Sequence, residues 1–195
     1  MVTDDGVETT RWEAETMTEK IHGSDAAGAI PPDDLARTLS VVDDEHPAGG
    51  WVSLVGDTYS MLLTGEQTNG AYCLIDMRVP PGGGPPPHRH DFEELFIIVS
   101  GQVEFTFRGD VTVVGAGSSV NIPANAPHRF RNAGDSPARM LCMCSPAGQE
   151  EYFTRVGDAV DGPTAPPPDL SPADQAVRQQ RALDLAAQYR TEMLS

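Results

Sequence analysis

The chain has 195 residues, enough for one domain of ordinary size. Thirteen basic residues against 29 acidic ones give a formal charge of −16. A nucleic-acid partner needs a basic stripe and an anionic membrane repels such a surface, so neither is expected. Hydrophobic residues make up 39% of the chain, somewhat low for a wholly packed sequence.

The imbalance is concentrated at the start. Residues 1–50 carry 12 acids and 3 bases, a net of −9. They show little hydrophobic periodicity, so residues 1–47 are expected to be an acidic, mostly disordered arm. Asp34–Leu39 is a candidate short helix within it. His22 and His46 belong to this arm and are expected to be solvated. The first twenty residues lack the apolar and basic parts of a secretory signal. The longest apolar run, Leu95 to Val99, is far too short to span a bilayer. Three cysteines without framework spacing suit reduced thiols, so a cytoplasmic location is expected.

From Trp51 onward, β-branched and aromatic runs alternate with Gly, Pro and Asn breaks. Strands are predicted near 51–55, 58–64, 71–79, 88–99, 102–108, 111–114, 118–122, 128–131 and 138–144. Such even spacing argues an all-β sandwich or barrel over residues 48–149. Gly109-Asp110 is predicted as a two-residue hairpin with Gly at the first central position. Cys142 and Cys144 sit two apart in the last strand and are read as small buried hydrophobes. Residues 150–195 follow as a short helix near Glu150–Val156, a Pro-rich linker and a C-terminal helix. Ser171-Pro172-Ala173-Asp174 marks the start of that last helix, with Ser as cap and Pro at the first position. It is predicted to reach about Met193, with Val177, Leu185 and Tyr189 on its apolar side, and to dock on the barrel or on a second subunit.

The chemistry-bearing stretch is Gly82-Gly-Gly-Pro-Pro-Pro-His88-Arg-His90-Asp-Phe-Glu-Glu94. Alternation along a strand puts His88 and His90 on one face, and Glu94, an even step further, returns to it if the strand is regular. His128 supplies a third imidazole from another strand. Two imidazoles and a carboxylate pointing into one cavity form a facial metal site, to which that third imidazole is available. Gly82–Gly84 is no phosphate loop, since three prolines follow and no helix can start there.

These residues resemble the cupin superfamily. Its first motif, G-x5-H-x-H-x3-E-x6-G, is matched by Gly82, His88, His90, Glu94 and Gly101. Its second, G-x5-P-x-G-x2-H-x3-N, is matched by Gly117, Pro123, His128 and Asn132, with Asn125 in place of the middle Gly. Asn tolerates positive φ best among the other residues, so that turn should survive. The resemblance implies an antiparallel β-barrel of jelly-roll type, here with a C-terminal helical extension. It also implies one divalent transition metal (Fe, Mn, Ni, Cu, Co or Zn) on His88, His90, Glu94 and His128. The proline-rich run before His88, the segment Pro146–Phe153 and Tyr189-Arg-Thr-Glu look like single-domain cupins grouped with bacterial quercetin 2,3-dioxygenases. That looser likeness implies a dioxygenase acting on a phenolic or enol-type, flavonol-like small molecule, with O₂ as co-substrate and Glu94 as catalytic proton acceptor. A non-oxidative isomerase or lyase, or a binding module without turnover, are the alternatives on the same fold. Cupins commonly dimerise, and open sheet edges favour pairing, so a homodimer is expected.

Overall fold

The computed structural model describes residues 30–43, 47 and 49–194. His22 and His46 lie outside the described residues. The chain divides into two units after Thr38. Residues 34–39 form no helix. Asp34 closes a turn instead: its Oδ1 accepts the Ala36 N–H at 3.0 Å and its carbonyl accepts the Arg37 N–H at 3.0 Å. An Asp side chain that bonds its own backbone two residues on favours a turn over a helix interior.

The second unit contains twelve described strands. They are β1 (Trp51–Leu54), β2 (Asp57–Leu63), β3 (Cys73–Val79), β4 (His88–His90), β5 (Glu93–Ser100) and β6 (Gln102–Phe107). Then follow β7 (Asp110–Gly115), β8 (Ser119–Ile122), β9 (His128–Asn132), β10 (Ala138–Ser145), β11 (Asp158–Val160) and β12 (Thr191–Met193). Three helices accompany them: α1 (Gly65–Thr68), α2 (Gln149–Val156) and α3 (Pro172–Ala186). The strands make two antiparallel sheets, ordered β11-β1-β2-β3-β10-β5-β8 and β12-β4-β9-β6-β7. The barrel is therefore not closed by hydrogen bonds. The two sheets meet through side chains: Phe96 of the larger lies 5.2 Å from Phe105 and 5.5 Å from Phe130 of the smaller, ring centre to centre. Strict alternation in β10 turns Ala138, Met140, Cys142 and Cys144 into this core. Each fully buried Phe, Met or Ile there contributes roughly 1.5–3 kcal/mol.

Several predicted elements are corrected by the structure. The predicted 88–99 strand is two strands in different sheets. The chain bends at Asp91-Phe92 and crosses from β4 in the smaller sheet to β5 in the larger. The hairpin between β6 and β7 turns on Arg108-Gly109, not Gly109-Asp110. Both central residues have positive φ, 52° and 98°, and Phe107 pairs with Asp110. That is the two-positive-φ turn whose twist suits a hairpin, with Gly second.

Helix α3 starts as predicted: Ser171 Oγ accepts the Asp174 N–H at 3.2 Å and Pro172 opens the first turn. It ends at Ala186, well before Met193. Ala187–Tyr189 form one 3₁₀ turn, and Arg190, at φ 59°, reverses the chain. Residues 191–193 then pair with β4, with Thr191 opposite His90 and Met193 opposite His88. The reason is an open edge: β4 meets β9 at a single register pair, His88 with His128, and its other side needs a partner. Helix α3 rests on α2 through the Tyr152 hydroxyl, which donates to the Ala182 carbonyl at 3.1 Å, and Arg181, which donates to the Val156 carbonyl at 3.0 Å. Val177 faces solvent rather than the core. Among the described residues no helix is long and apolar enough to cross a membrane.

Candidate metal centre

Four side chains from three strands converge inside the barrel. His88 and His90 come from β4, two apart and on the inner face. Glu94 comes from β5 in the opposite sheet, where it alternates inward with Phe96 and Ile98. The even step from His90 to Glu94 therefore brings Glu94 to the histidines across a sheet change rather than along one regular strand. His128 opens β9 directly opposite His88. The tight turn before it puts Asn125 at φ 68°, so asparagine fills the left-handed position where the motif has glycine.

All four are buried, and one ligand atom from each lies within 4.8 Å of every other. Each imidazole has its Nδ1 against a backbone carbonyl: His88 to Pro86 at 3.0 Å, His90 to Phe92 at 2.9 Å, His128 to Ala126 at 2.9 Å. A carbonyl only accepts, so each Nδ1 carries the hydrogen. A neutral ring then presents its Nε2 lone pair to the centre. This backbone fixing of ring orientation is the outer-shell arrangement expected of histidine ligands. Phe92 stacks on His90 with ring centres 3.9 Å apart and 3° between planes, holding the ring from its other face.

Glu94 Oε2 lies 3.0 Å from His90 Nε2 and 3.2 Å from His128 Nε2. A carboxylate oxygen facing two bare lone pairs needs a cation between them, either a proton or a metal ion. Burial disfavours the charged carboxylate, yet His128 and His90 outweigh it and hold Glu94 below the ordinary carboxylate range. Burial disfavours a charged ring at His128, but Glu94 outweighs that and raises its pKa. His88 is pulled down to about 4, chiefly by burial and then by the neighbouring charge of His128. It is thus held neutral, the form a metal ligand takes. Three imidazole nitrogens and one carboxylate oxygen fit a divalent transition ion, whose bonds of roughly 2.1 Å hold ligand atoms about 3–4 Å apart. The His-His-Glu-His group could hold such a metal.

The centre opens into a cavity of about 670 Å³ that touches His88 and Glu94. Its walls are mainly apolar: Leu54, Tyr59, Met77, Phe130, Tyr152 and Phe153 from the barrel and α2, with Pro167, Pro168, Leu170 and Leu183 from the C-terminal segment. A cavity of this size suits a drug-sized molecule. Tyr59 stacks on Phe153 at 4.6 Å and 18°, and its hydroxyl donates to Asp57 Oδ2 at 3.0 Å. Asp57 is fully buried, and burial pushes its pKa up to about 7, against the partial pull of Tyr59 and of the Gly84 amide.

Asp57 therefore makes a pH prediction. Between about pH 4 and pH 7 the folded chain holds a proton that the unfolded chain has lost. Its contribution is thus full below the unfolded value near 3.8 and disappears as pH rises through 7. Asp57→Asn, which keeps an acceptor for Tyr59, should flatten that decline. In urea unfolding the wild type should lose about 4 kcal/mol more than the variant between pH 4 and pH 8. Equal losses in both proteins would show that Asp57 is ionised throughout.

Sequence reasoning missed the cysteine contacts. Cys142 and Cys144 are buried as expected, but both face Glu94: Cys142 Sγ lies 3.3 Å from Oε1 and Cys144 Sγ 4.0 Å from it. The inward alternation of 138–144 was the available signal; the partner across the ladder was not. Glu93 is exposed and accepts from Asn121 Nδ2 at 3.0 Å and the Ala124 N–H at 3.1 Å.

The cupin domain model matches residues 75–144, the stretch that carries all four converging residues. Residues 75–144 are a cupin domain. This cupin is 36% identical over 104 residues to a protein of Streptomyces cyaneus named polyketide synthase CurC, covering 52% of this chain and 66% of that one. It is 23% identical over 129 residues to the quercetin 2,3-dioxygenase of Bacillus subtilis, covering 66% of this chain and 37% of the enzyme. The chain thus matches just under two thirds of the first relative's length and well under half of the second's. A crystal structure from Thermotoga maritima, described as a predicted oxalate decarboxylase, aligns with 55% of this chain and 99% of its own at 23% identity and a TM-score of 0.49.

Proposed function

We propose that this cupin is a metal-dependent enzyme acting on an anionic phenolic or enol-type small molecule, as a dioxygenase. The observation that carries the reading is the convergence of three oriented Nε2 atoms and one carboxylate oxygen at one end of a mainly apolar, aromatic-walled cavity. A divalent metal, when bound by His88, His90, Glu94 and His128, supplies Lewis acidity and open positions for substrate. Three neutral imidazoles and one carboxylate leave a divalent site at net +1, which favours an anionic substrate. Glu94, which lines the cavity, accepts the hydroxyl proton as the substrate binds. Tyr59, Tyr152 and Phe153 offer flat apolar surface to an aromatic body and exclude water. The deprotonated, electron-rich carbon skeleton is then the partner for O₂. The quercetin 2,3-dioxygenase relative supports this reading. The higher identity to the protein named polyketide synthase CurC favours a second one, non-oxidative chemistry on a polyketide.

Protein purified without chelator or affinity-tag metal should carry metal near one per chain, and should consume O₂ with at least one member of a flavonol panel. Product formation without O₂ uptake would move the assignment to the isomerase or lyase reading. Binding without any product would leave a ligand-binding module. A homodimer is part of the proposal. Strand β7 is an end strand of its sheet and exposes Val111 and Val113, a ready edge for a second copy. Light scattering at micromolar concentration should give twice the chain mass, and a monomer would refute that part.

A further inference from the structure

Three thiols lie in a row behind Glu94. Strand β10 pairs Cys144 with Glu94 on one side and with Cys73 on the other. Cys73 contacts Cys144, Cys144 Sγ lies 3.7 Å from Cys142 Sγ, and Cys142 Sγ lies 3.3 Å from Glu94 Oε1. All three are free and fully buried. The two oxygens of Glu94 therefore meet different surroundings: Oε2 faces the imidazoles, and Oε1 faces sulfur.

We propose that Cys142 is a positioning residue, whose thiol donates to Glu94 Oε1 and so presents Oε2 alone to the three imidazoles. The inference rests on the metal reading of the site. Its chemistry follows from the donor inventory. A carboxylate only accepts, so the hydrogen of this contact is on sulfur. A carboxylate with one oxygen engaged by a donor is disfavoured from turning both oxygens to one ion. Cys144, at 4.0 Å from Oε1, backs Cys142 rather than replacing it.

The test uses Co(II), whose visible spectrum reports coordination number directly. Cys142→Val removes the donor and adds roughly a methyl group of volume; Cys142→Ser keeps a donor and loses slightly less volume than that. Positioning requires the serine variant to hold the wild-type Co(II) spectrum. The valine variant should change that spectrum and bind Co(II) roughly 10-fold or more weakly, as loss of an outer-shell partner does. A packing role disturbs both spectra, since valine overfills and serine underfills the buried site. Any result in which valine holds the wild-type spectrum, or serine does not, overturns the proposal. A wild type that takes up no Co(II) overturns the metal reading and this one together, which separates the two failures. Infrared spectroscopy keeps the test open should the valine variant fail to fold. A thiol donating to a carboxylate has its S–H stretch lowered, and that lowest component should vanish in Cys142→Ser. Absence of a lowered component in the wild type also overturns the proposal.

Discussion

Glu94→Gln is expected to strip the protein of bound metal, while Glu93→Gln leaves it loaded. The two residues are adjacent, yet their surroundings differ completely. Glu94 is buried, with Oε2 against His90 and His128 and Oε1 against Cys142. The amide in Glu94→Gln keeps the shape but removes the only negative charge in the His-His-Glu-His set, and it cannot act as a base. Affinity should fall by more than the roughly 10–100-fold that loss of an outer-shell partner costs, and turnover should fall with it. Glu93 stands at the surface, bridging Asn121 and the Ala124 amide. Gln keeps one oxygen for those donors, so stability should change little. Metal per chain after dialysis, measured for both variants beside the wild type, decides the matter. Loss of metal from Glu93→Gln with retention in Glu94→Gln would mean that the carboxylate ligand is assigned to the wrong residue. Retention in both would leave a three-histidine centre.

Gly84→Ala should be the most damaging single substitution in the loop before His88. Gly84 sits at φ +131°, and a Cβ there would meet the Phe130 carbonyl oxygen at 2.2 Å and Arg131 Cα at 3.1 Å. These are backbone atoms of β9 and cannot rotate away. The same loop is laced to β9 by the Gly82 N–H donating to the Asn132 carbonyl and the Asn132 N–H donating to the Gly83 carbonyl. The added methyl must push loop and strand apart beneath His128. A loss of about 4 kcal/mol or more is expected. For a unit of this size that lowers the melting temperature by roughly 8–16 °C. Gly56→Ala is the control: φ is +90° there too, but nothing lies within 4 Å of the added atom. It should cost only about 1–2 kcal/mol. Equal melting temperatures for the two variants would show that the loop is not pressed against β9.

The four converging residues were legible because their spacing is local on each strand, and alternation decides which way each one points. Even so, the reason for Glu94 changed. Nothing in the run His88–Val99 announces that Asp91-Phe92 turns the chain into another sheet, since a two-residue bend keeps the strand-like texture on both sides. The cysteines illustrate the opposite case. Their burial could be read from the apolar run around them, but their contact with Glu94 depends on the β5–β10 register, a pairing between segments far apart in sequence. Strand β12 escaped for a third reason. Thr191-Glu192-Met193 has no pattern of its own and becomes a strand only because β4 offers an edge. The end of α3 was misplaced with it, since nothing short of the reversal at Arg190 marks where helix gives way.

That borrowed strand sets a timetable for assembly. Arg89 on β4 and Glu192 on β12, joined by a salt bridge of 2.5 Å, are separated by 103 residues of chain. A ribosome adding roughly 5–20 residues per second delivers the second about 5–20 s after the first. Throughout that interval two of the three histidines occupy a strand with one side unpaired. The nascent chain can gather its hydrophobic core long before its ligands are locked in place. Ordering of that strand is thereby deferred until Thr191 has been made, and a product interrupted before it would carry every candidate ligand without the strand that holds two of them in line.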